Sequence, residues 1–266
     1  MLIILSRIRH VCNKRQELLI SVDYLDKPLK PINKQFAHKN EIIQPHTSTL
    51  YTPTSHTHKP SLIPIQSTHT GPPILHRAFS IFHFSFDMKL LITQRSHTKQ
   101  TFPLLWSNSC CSHPLWSNTH ERGGPIGLDD LTMYSMPFAL KRRMREELNT
   151  EMELNDFQFL TRFMYLAKAG KSFAEYEMDY IYISISKEKS ENLLNLVPNS
   201  DEVENFKFVD KNELQKIIFD LKFTPWSLYL LHHFIFDWWD KLGTPQWDNT
   251  HTKKIYYADD ITNFKI

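Results

Sequence analysis

Apolar and polar positions alternate along much of the chain, and the alternation marks the strands. Residues 17–25, ELLISVDYL, predict a first strand, and the polar, proline-bearing residues 26–31 predict a turn after it. From Leu75 onward HRAFSIFHFSF and KLLITQR, joined through Phe86, Asp87 and Met88, predict a hairpin over 76–94. A polar loop is expected over 95–114. FQFLTRFMYLA (157–167), EMDYIYISIS (177–186) and VENFKFVD (203–210) predict three further strands. In the second of these Met178, Tyr180, Tyr182 and Ser184 share one face. SMPFALKRRMREEL (135–148) predicts a helix, with Ser135 as N-cap and Pro137 in its first turn. Asp210 and Glu213 form a capping-box-like start to another helix. Thr224 and Pro225 open the last, which runs to about Leu242. Strands with a helix on each side of a mixed sheet indicate an α+β sandwich.

Residues 41–73 break this pattern. They are rich in Thr, Ser, Pro and His and nearly free of charge, and their prolines forbid a helix and spoil most strands. We expect a disordered insertion there, inside one domain over 17–266 that follows a tail at 1–16.

Composition narrows the function. The 266 residues are 41% hydrophobic and 13% aromatic, enough for one sizeable core. With 31 Lys and Arg against 29 Asp and Glu, the whole chain does not read as a nucleic-acid or membrane-surface binder. Any anion must meet a local basic cluster. Three cysteines, two of them adjacent, make a poor disulfide framework and fit a reducing compartment. No stretch reaches the ~20 apolar residues of a membrane span. The apolar run before Arg7 is too short for a secretory signal. A cytoplasmic monomer is expected; an Arg-bearing, acid-poor start leaves organellar or peroxisomal targeting open.

Several residues could carry chemistry. Cys111 and His113, two apart in a polar loop, could place an exposed thiol near cations that lower its pKa, although a small buried Cys is the ordinary alternative. Glu175 and Glu177, two apart on an extended segment, project two carboxylates to one face, which raises one pKa or invites a divalent cation. His38 and His76 could join His113 and these glutamates in a shell for Zn, Mn or Mg, which spacing alone does not establish. Arg95, Lys99, Lys141, Arg142, Arg143 and Arg145 form a basic cluster suited to a diphosphate, partly a solvated helix face. Trp226, at a helix start, is either core or an aromatic face for a cation.

Taken in order, LHRAFS, QRSxxKxTFP, SCCSHPL, REEL, LTRxxY, ExExDY, TPW and a WWD near the C-terminus closely resemble type I isopentenyl-diphosphate delta-isomerases of the Nudix superfamily. The resemblance covers about 75–245, with a weaker stretch around KQFAHKNE (34–41). It implies a Nudix-type α/β/α sandwich. It also implies interconversion of isopentenyl and dimethylallyl diphosphate in isoprenoid biosynthesis, by a 1,3 proton shift through a tertiary carbocation. Residue by residue, Cys111 matches the catalytic cysteine, Glu177 the catalytic glutamate and Tyr165 the tyrosine that assists it. Lys34, Arg95, Lys99 and Arg143 match the basic residues on the diphosphate, and Trp226 the aromatic facing the cation. His38, His76, His113, Glu175 and Glu177 match the metal shell, filled by Mg2+, Mn2+ or Zn2+, and Glu147 the acid associated with Mg2+ on the diphosphate.

Two departures bear on this. Residues 41–73 lengthen the gap between His38 and His76, so either the insertion loops out and the histidines meet, or the shell is incomplete. In the Nudix box Tyr134 and Arg143 replace glutamates and Asn149 a glycine, which argues against a pyrophosphate hydrolase. Asn149 tolerates the left-handed turn expected there. A Nudix hydrolase and a non-enzymatic relative disabled by the insertion are the competing readings.

Overall fold

The structure is a computed structural model describing residues 17–40, 72–122, 132–247, 250 and 252–266. The strands are β1 (Leu18–Val22), β2 (Pro28–Asn33), β3 (His76–Phe84), β4 (Leu90–Arg95), β5 (Trp106–Ser107), β6 (Cys110–Ser112), β7 (Phe157–Ala169), β8 (Phe173–Ile185), β9 (Val203–Val209) and β10 (Ile255–Asp260). The helices are α1 (Lys34–Ala37), α2 (Thr132–Leu148), α3 (Lys211–Ile217), α4 (Pro225–Leu230) and α5 (Phe236–Lys241), the last two joined by a π-helical turn over Leu231–Ile235.

The ten strands form one mixed sheet, ordered β10-β7-β8-β3-β1-β2, with β4 and β6 also on β3, and β5 and β9 on β4. The pairs β3–β8 and β10–β7 are parallel and the rest antiparallel. Because side chains alternate along a strand, the sheet feeds two cores. Phe79, Ile81, Met178, Tyr180 and Tyr182 meet Met136, Ala139, Leu140 and Met144 of α2 on one face. Phe82, Phe84, Phe163, Ile181 and Ile183 meet Leu230, Leu231, Ile235, Trp238 and Trp239 on the other. Each such side chain taken fully from water contributes about 1.5–3 kcal/mol. The helix-on-each-side sandwich expected from the sequence is present.

Four local expectations are corrected. The stretch 26–31 is not only a turn, because β2 begins at Pro28. Its prolines are tolerated because β2 is an edge strand, with no second neighbour among the described residues asking for N–H donors. The hairpin over 76–94 is minimal, with Phe84 opposite Leu90 as its one register pair. β6 occupies the β3 edge that a longer hairpin would need, and β4 runs instead along β9. The loop 95–114 contains β5 and β6, too short to show a period. The helix starts at Thr132, before Ser135, so Pro137 lies inside it; an N-cap is worth only about 1 kcal/mol and does not fix a boundary.

Other expectations hold. Asp210 caps α3 by accepting from the Glu213 N–H at 2.8 Å. Asn149 ends α2 at φ +50°. Its N–H donates to the Arg145 carbonyl and that of Thr150 to the Met144 carbonyl, the paired bonds of a left-handed helix terminus. The expected insertion over 41–73 and the tail 1–16 lie almost wholly outside the described residues.

Candidate active site

Three neighbouring strands line up the centre of the site. Register places Glu177 of β8 beside both His76 of β3 and Tyr165 of β7. Glu175 follows on the same face of β8, and His113 comes just after β6. His38 arrives from the end of α1. Its carbonyl accepts from the Ala174 N–H at 2.8 Å, and the Ala37 carbonyl accepts from the Ile74 N–H at 3.1 Å, so both ends of the long excursion are stitched beside β8. His38 and His76 therefore meet, with ring centroids 4.8 Å apart.

The five residues His38, His76, His113, Glu175 and Glu177 are all buried and offer ligand atoms within 4.8 Å of one another. His38 Nδ1 sits 2.6 Å from the Lys34 carbonyl and His76 Nδ1 2.7 Å from that of Ile74, which turns each Nε2 inward. His113 Nε2 lies 2.8 Å and His76 Nε2 3.9 Å from Glu177 Oε1. His38 Nε2 lies 2.7 Å from Glu175 Oε2 without hydrogen-bond alignment, and His76 Nε2 has no hydrogen-bond partner among the described residues. Lone pairs aimed at a common point, with orphaned buried atoms, fit a bound cation. The cluster can hold a divalent metal of the kind that takes imidazole and carboxylate.

Burial holds His76 down to about 3 and His113 well below the ordinary range, the latter also through its neighbours His76 and His38. Neutral imidazoles are the ligand form. The two glutamates separate: burial, then Glu175 and Asp179, push Glu177 up. Burial also works to raise Glu175, but His38 and a hydrogen bond from Thr101 hold it low.

A cavity of about 290 Å3 opens beside this cluster. Cys111, Glu175, Glu177, His113 and Trp226 line it together with Lys34, Arg95, Lys99 and Arg143. Tyr165 Oη donates to Glu177 Oε2 at 2.5 Å. Adjacent residues of a strand face opposite ways, so β6 gives the two cysteines different surroundings. Cys110 is buried with Sγ 3.3 Å from Glu147 Oε2, and Cys111 Sγ lies 3.9 Å from Arg95 Nη1. Of the two readings left open for Cys111, burial outweighs the nearby Arg95 guanidinium and pushes the thiol up to about 12.

Trp226 is 3% exposed, so core and cavity wall are one assignment. The Arg95 guanidinium lies 5.5 Å over its ring, Phe102 meets it edge-on at 5.3 Å, and Tyr165 stacks at 6.1 Å. Half of the expected basic cluster lies elsewhere. Arg142 binds Glu121, Glu146 and the His113 carbonyl, Lys141 pairs with Glu153, and Arg145 is exposed. Lys34 pairs with Glu17 at 2.7 Å, Lys99 with Glu202, and Arg143 with Glu147 and Glu202. Glu147 is buried against these cations and is not among the five clustered ligands.

Sequence reasoning missed Thr101, Asp179 and Glu202. Asp179 was legible, since the alternation pairing Glu175 with Glu177 continues to it. It is buried, accepts from Ser80 Oγ at 2.7 Å, and is raised to about 7 by burial. Thr101 and Glu202 carried no spacing signal.

A cluster able to hold a cation, a thiol and four basic side chains around one pocket make this the candidate active site of an enzyme, with a lining suited to a small anion. No protein-family profile matches the chain. It is 38% identical over 178 residues to the mouse protein named isopentenyl-diphosphate Delta-isomerase 1, covering 64% of this chain and 73% of that one. It is 33% identical over 244 residues to the Candida albicans isopentenyl-diphosphate delta-isomerase, covering 85% and 74%. It is 39% identical over 171 residues to that of Schizosaccharomyces pombe, covering 62% and 70%. The chain belongs to the isopentenyl-diphosphate delta-isomerase family. Solved structures it resembles include DR0079 from Deinococcus radiodurans (TM-score 0.47, 15% identity, 82% of this chain and all of that one). A NUDIX hydrolase from Alicyclobacillus acidocaldarius follows at 0.42 and 12%, covering 59% and 89%.

Proposed function

We propose that the chain is an active isomerase interconverting isopentenyl and dimethylallyl diphosphate by a 1,3 proton shift through a tertiary carbocation, in isoprenoid biosynthesis. The carrying observation is that Cys111 and Glu177 line one cavity whose walls also hold Trp226 and four cations. An alkene gains a proton at its terminal carbon and loses one two carbons away, so one group must give and another take. Cys111, kept as a thiol by burial, and Glu177, bonded by Tyr165, are the pair in this reading. The indole of Trp226 stabilises the cation between the two transfers, worth roughly 2 kcal/mol when desolvated. Lys34, Arg95, Lys99 and Arg143 bind the diphosphate. Burial keeps water from the cation.

His38, His76, His113, Glu175 and Glu177 would hold Mg2+, Mn2+ or Zn2+, and Glu147 would serve a Mg2+ arriving with the diphosphate. Such ions supply charge compensation and hold Glu177 in place. We further place the protein in the cytoplasm, as a monomer working as one domain over 17–266. No described helix is long and apolar enough to cross a membrane.

The test is incubation with isopentenyl diphosphate and Mg2+ in deuterated water, beside Cys111→Ala, read by NMR. Deuterated dimethylallyl diphosphate, lost in the variant, is the expected result. Phosphate release without isomerisation would instead favour a hydrolase.

A further inference from the structure

We propose that Thr101 is a positioning residue, its hydroxyl holding Glu175 to a single metal-facing oxygen while its carbonyl fixes Arg95 against the thiol and indole wall. This rests on the metal-cage reading above and deepens it. The two oxygens of Glu175 have different surroundings. Oε2 faces His38 Nε2 at 2.7 Å inside the cage. Oε1 accepts from Thr101 Oγ1 at 2.6 Å. That bond takes up one lone pair of Oε1 and holds it toward Thr101, which favours Glu175 as a one-oxygen ligand through Oε2. The coordination number is thereby kept down and a position left for substrate or water.

The same residue grips the other half of the site. Arg95 Nη2 donates to the Thr101 carbonyl at 2.9 Å and Arg95 Nε to it at 3.2 Å. Arg95 Nε also reaches the Phe102 carbonyl at 3.1 Å. That guanidinium lies 3.9 Å from Cys111 Sγ and 5.5 Å over the Trp226 ring. The backbone just beyond is constrained as well. Phe102 sits at φ +47°, unusual for a bulky residue, with its ring edge against Trp226. Thr101 is 7% exposed, and its neighbours over-determine its place. One buried residue thus couples the cage, through Glu175, to the wall that carries Arg95, Cys111 and Trp226.

The test uses the full chain loaded with cobalt(II), as wild type, Thr101→Ser and Thr101→Val. Visible absorption reports coordination number, and a chelator series reports affinity. Thr101→Ser keeps the hydroxyl and should match wild type. Thr101→Val keeps the shape and loses the hydroxyl's bond to Glu175 together with the weaker one it accepts from Arg95 Nη2 at 3.3 Å, while Arg95 keeps the Thr101 carbonyl. Its cobalt should be withdrawn at about tenfold lower chelator, the lower end of the usual loss for a partner of a metal ligand. Its absorption should weaken as Glu175 turns two-oxygen and coordination rises. The metal-free valine variant should unfold at a somewhat lower temperature, since a buried bond to a carboxylate is gone, whereas the cobalt spectrum reads ligand geometry and would not move for a merely structural role. Should valine unfold the chain, Thr101→Ala removes the same hydroxyl and takes its place. Unchanged affinity and spectrum in the hydroxyl-free variant would overturn the assignment alone. Wild type that takes up no cobalt would overturn the cage reading and this one with it.

Discussion

Replacing Tyr165 by Phe removes one oxygen from the centre of the site and little else. The Tyr165 ring is 1% exposed, stacked at 5.2 Å on Phe163 and at 6.1 Å on Trp226, and a phenylalanine ring keeps both contacts. What goes is the 2.5 Å bond to Glu177 Oε2. Burial first, and then the charge of Glu177, raise the phenol well above its ordinary range, so it is a neutral donor throughout the working pH. A buried hydrogen bond to a charged group is worth about 1.5–3 kcal/mol. If that bond matters at the transition state, kcat falls by about 10- to 150-fold at 1.36 kcal/mol per decade. KM should stay within about twofold, since no cation of the cradle touches Tyr165. The phenol lowers the Glu177 pKa, so its loss raises that pKa, and the acid limb of the kcat profile moves to higher pH. Steady-state kinetics across pH give all three readouts. An unchanged kcat, or a loss appearing only in KM, would refute the reasoning.

Three further outcomes are expected. Cys111→Ala should abolish deuterium incorporation measured by NMR, whereas Cys110→Ala should keep turnover and lose about 1–2 kcal/mol of stability in denaturant titrations, because Cys110 is core. His76 titrates near 3 when folded and 6.5 when unfolded, so at this group the folded metal-free chain binds fewer protons in that window and gains stability as pH rises through it. Because the raised Glu177 and Asp179 carboxyls act in the opposite sense over this range, the comparison is with metal-free His76→Gln: below pH 6.5 wild type should lose up to about 1.4 kcal/mol per pH unit more than the variant in denaturant titrations, and parallel profiles would exclude a buried neutral His76. Replacing residues 41–71 by a four-residue Gly-Ser linker shortens a chain closure by about three doublings, worth roughly 1.8 kcal/mol, and should raise the Tm by a few degrees while cobalt affinity stays fixed; weaker cobalt binding would show that the cage depends on the excursion.

What the sequence disclosed follows from what leaves a period. β8 was legible because thirteen residues alternate with both faces buried, and that alternation brought Glu175 and Glu177 to one side. β6 left no trace, since three residues cannot show a period and its pairing with Phe79, Ser80 and Ile81 is set by distant chain. β10 was missed for a related reason: IYYADD is half-exposed and polar, a strand only because β7 offers it an edge. The resemblance singled out Cys111, which lines the cavity, while the sequence left its surroundings open between exposed and buried. Proximity to Arg95 can be guessed from sequence, but the burial that outweighs it cannot. Arg142 and Arg143 are adjacent in one basic run, yet the turn of α2 sends the first to Glu121 and the second to the cavity.

The charge of the cradle constrains how a diphosphate is taken. Its four cations do not stand bare: Lys34 is paired with Glu17, Lys99 and Arg143 share Glu202, and Glu147 adds a third carboxylate against the same pair. Arg95, bonded mainly to neutral carbonyls, is the cation left with most of its charge uncompensated. Burial of Glu147 and Glu202 makes their proximity to a second anion costly, far more than at a surface. A diphosphate entering alone would be drawn by Lys99 and Arg143 and repelled by the carboxylates that hold them. Glu147 and Glu202 would attract a divalent cation bound to the diphosphate, which would reverse the sign of the encounter. In the proposed function, the pairing that looks like a blocked cradle would favour the metal–diphosphate complex over the free anion.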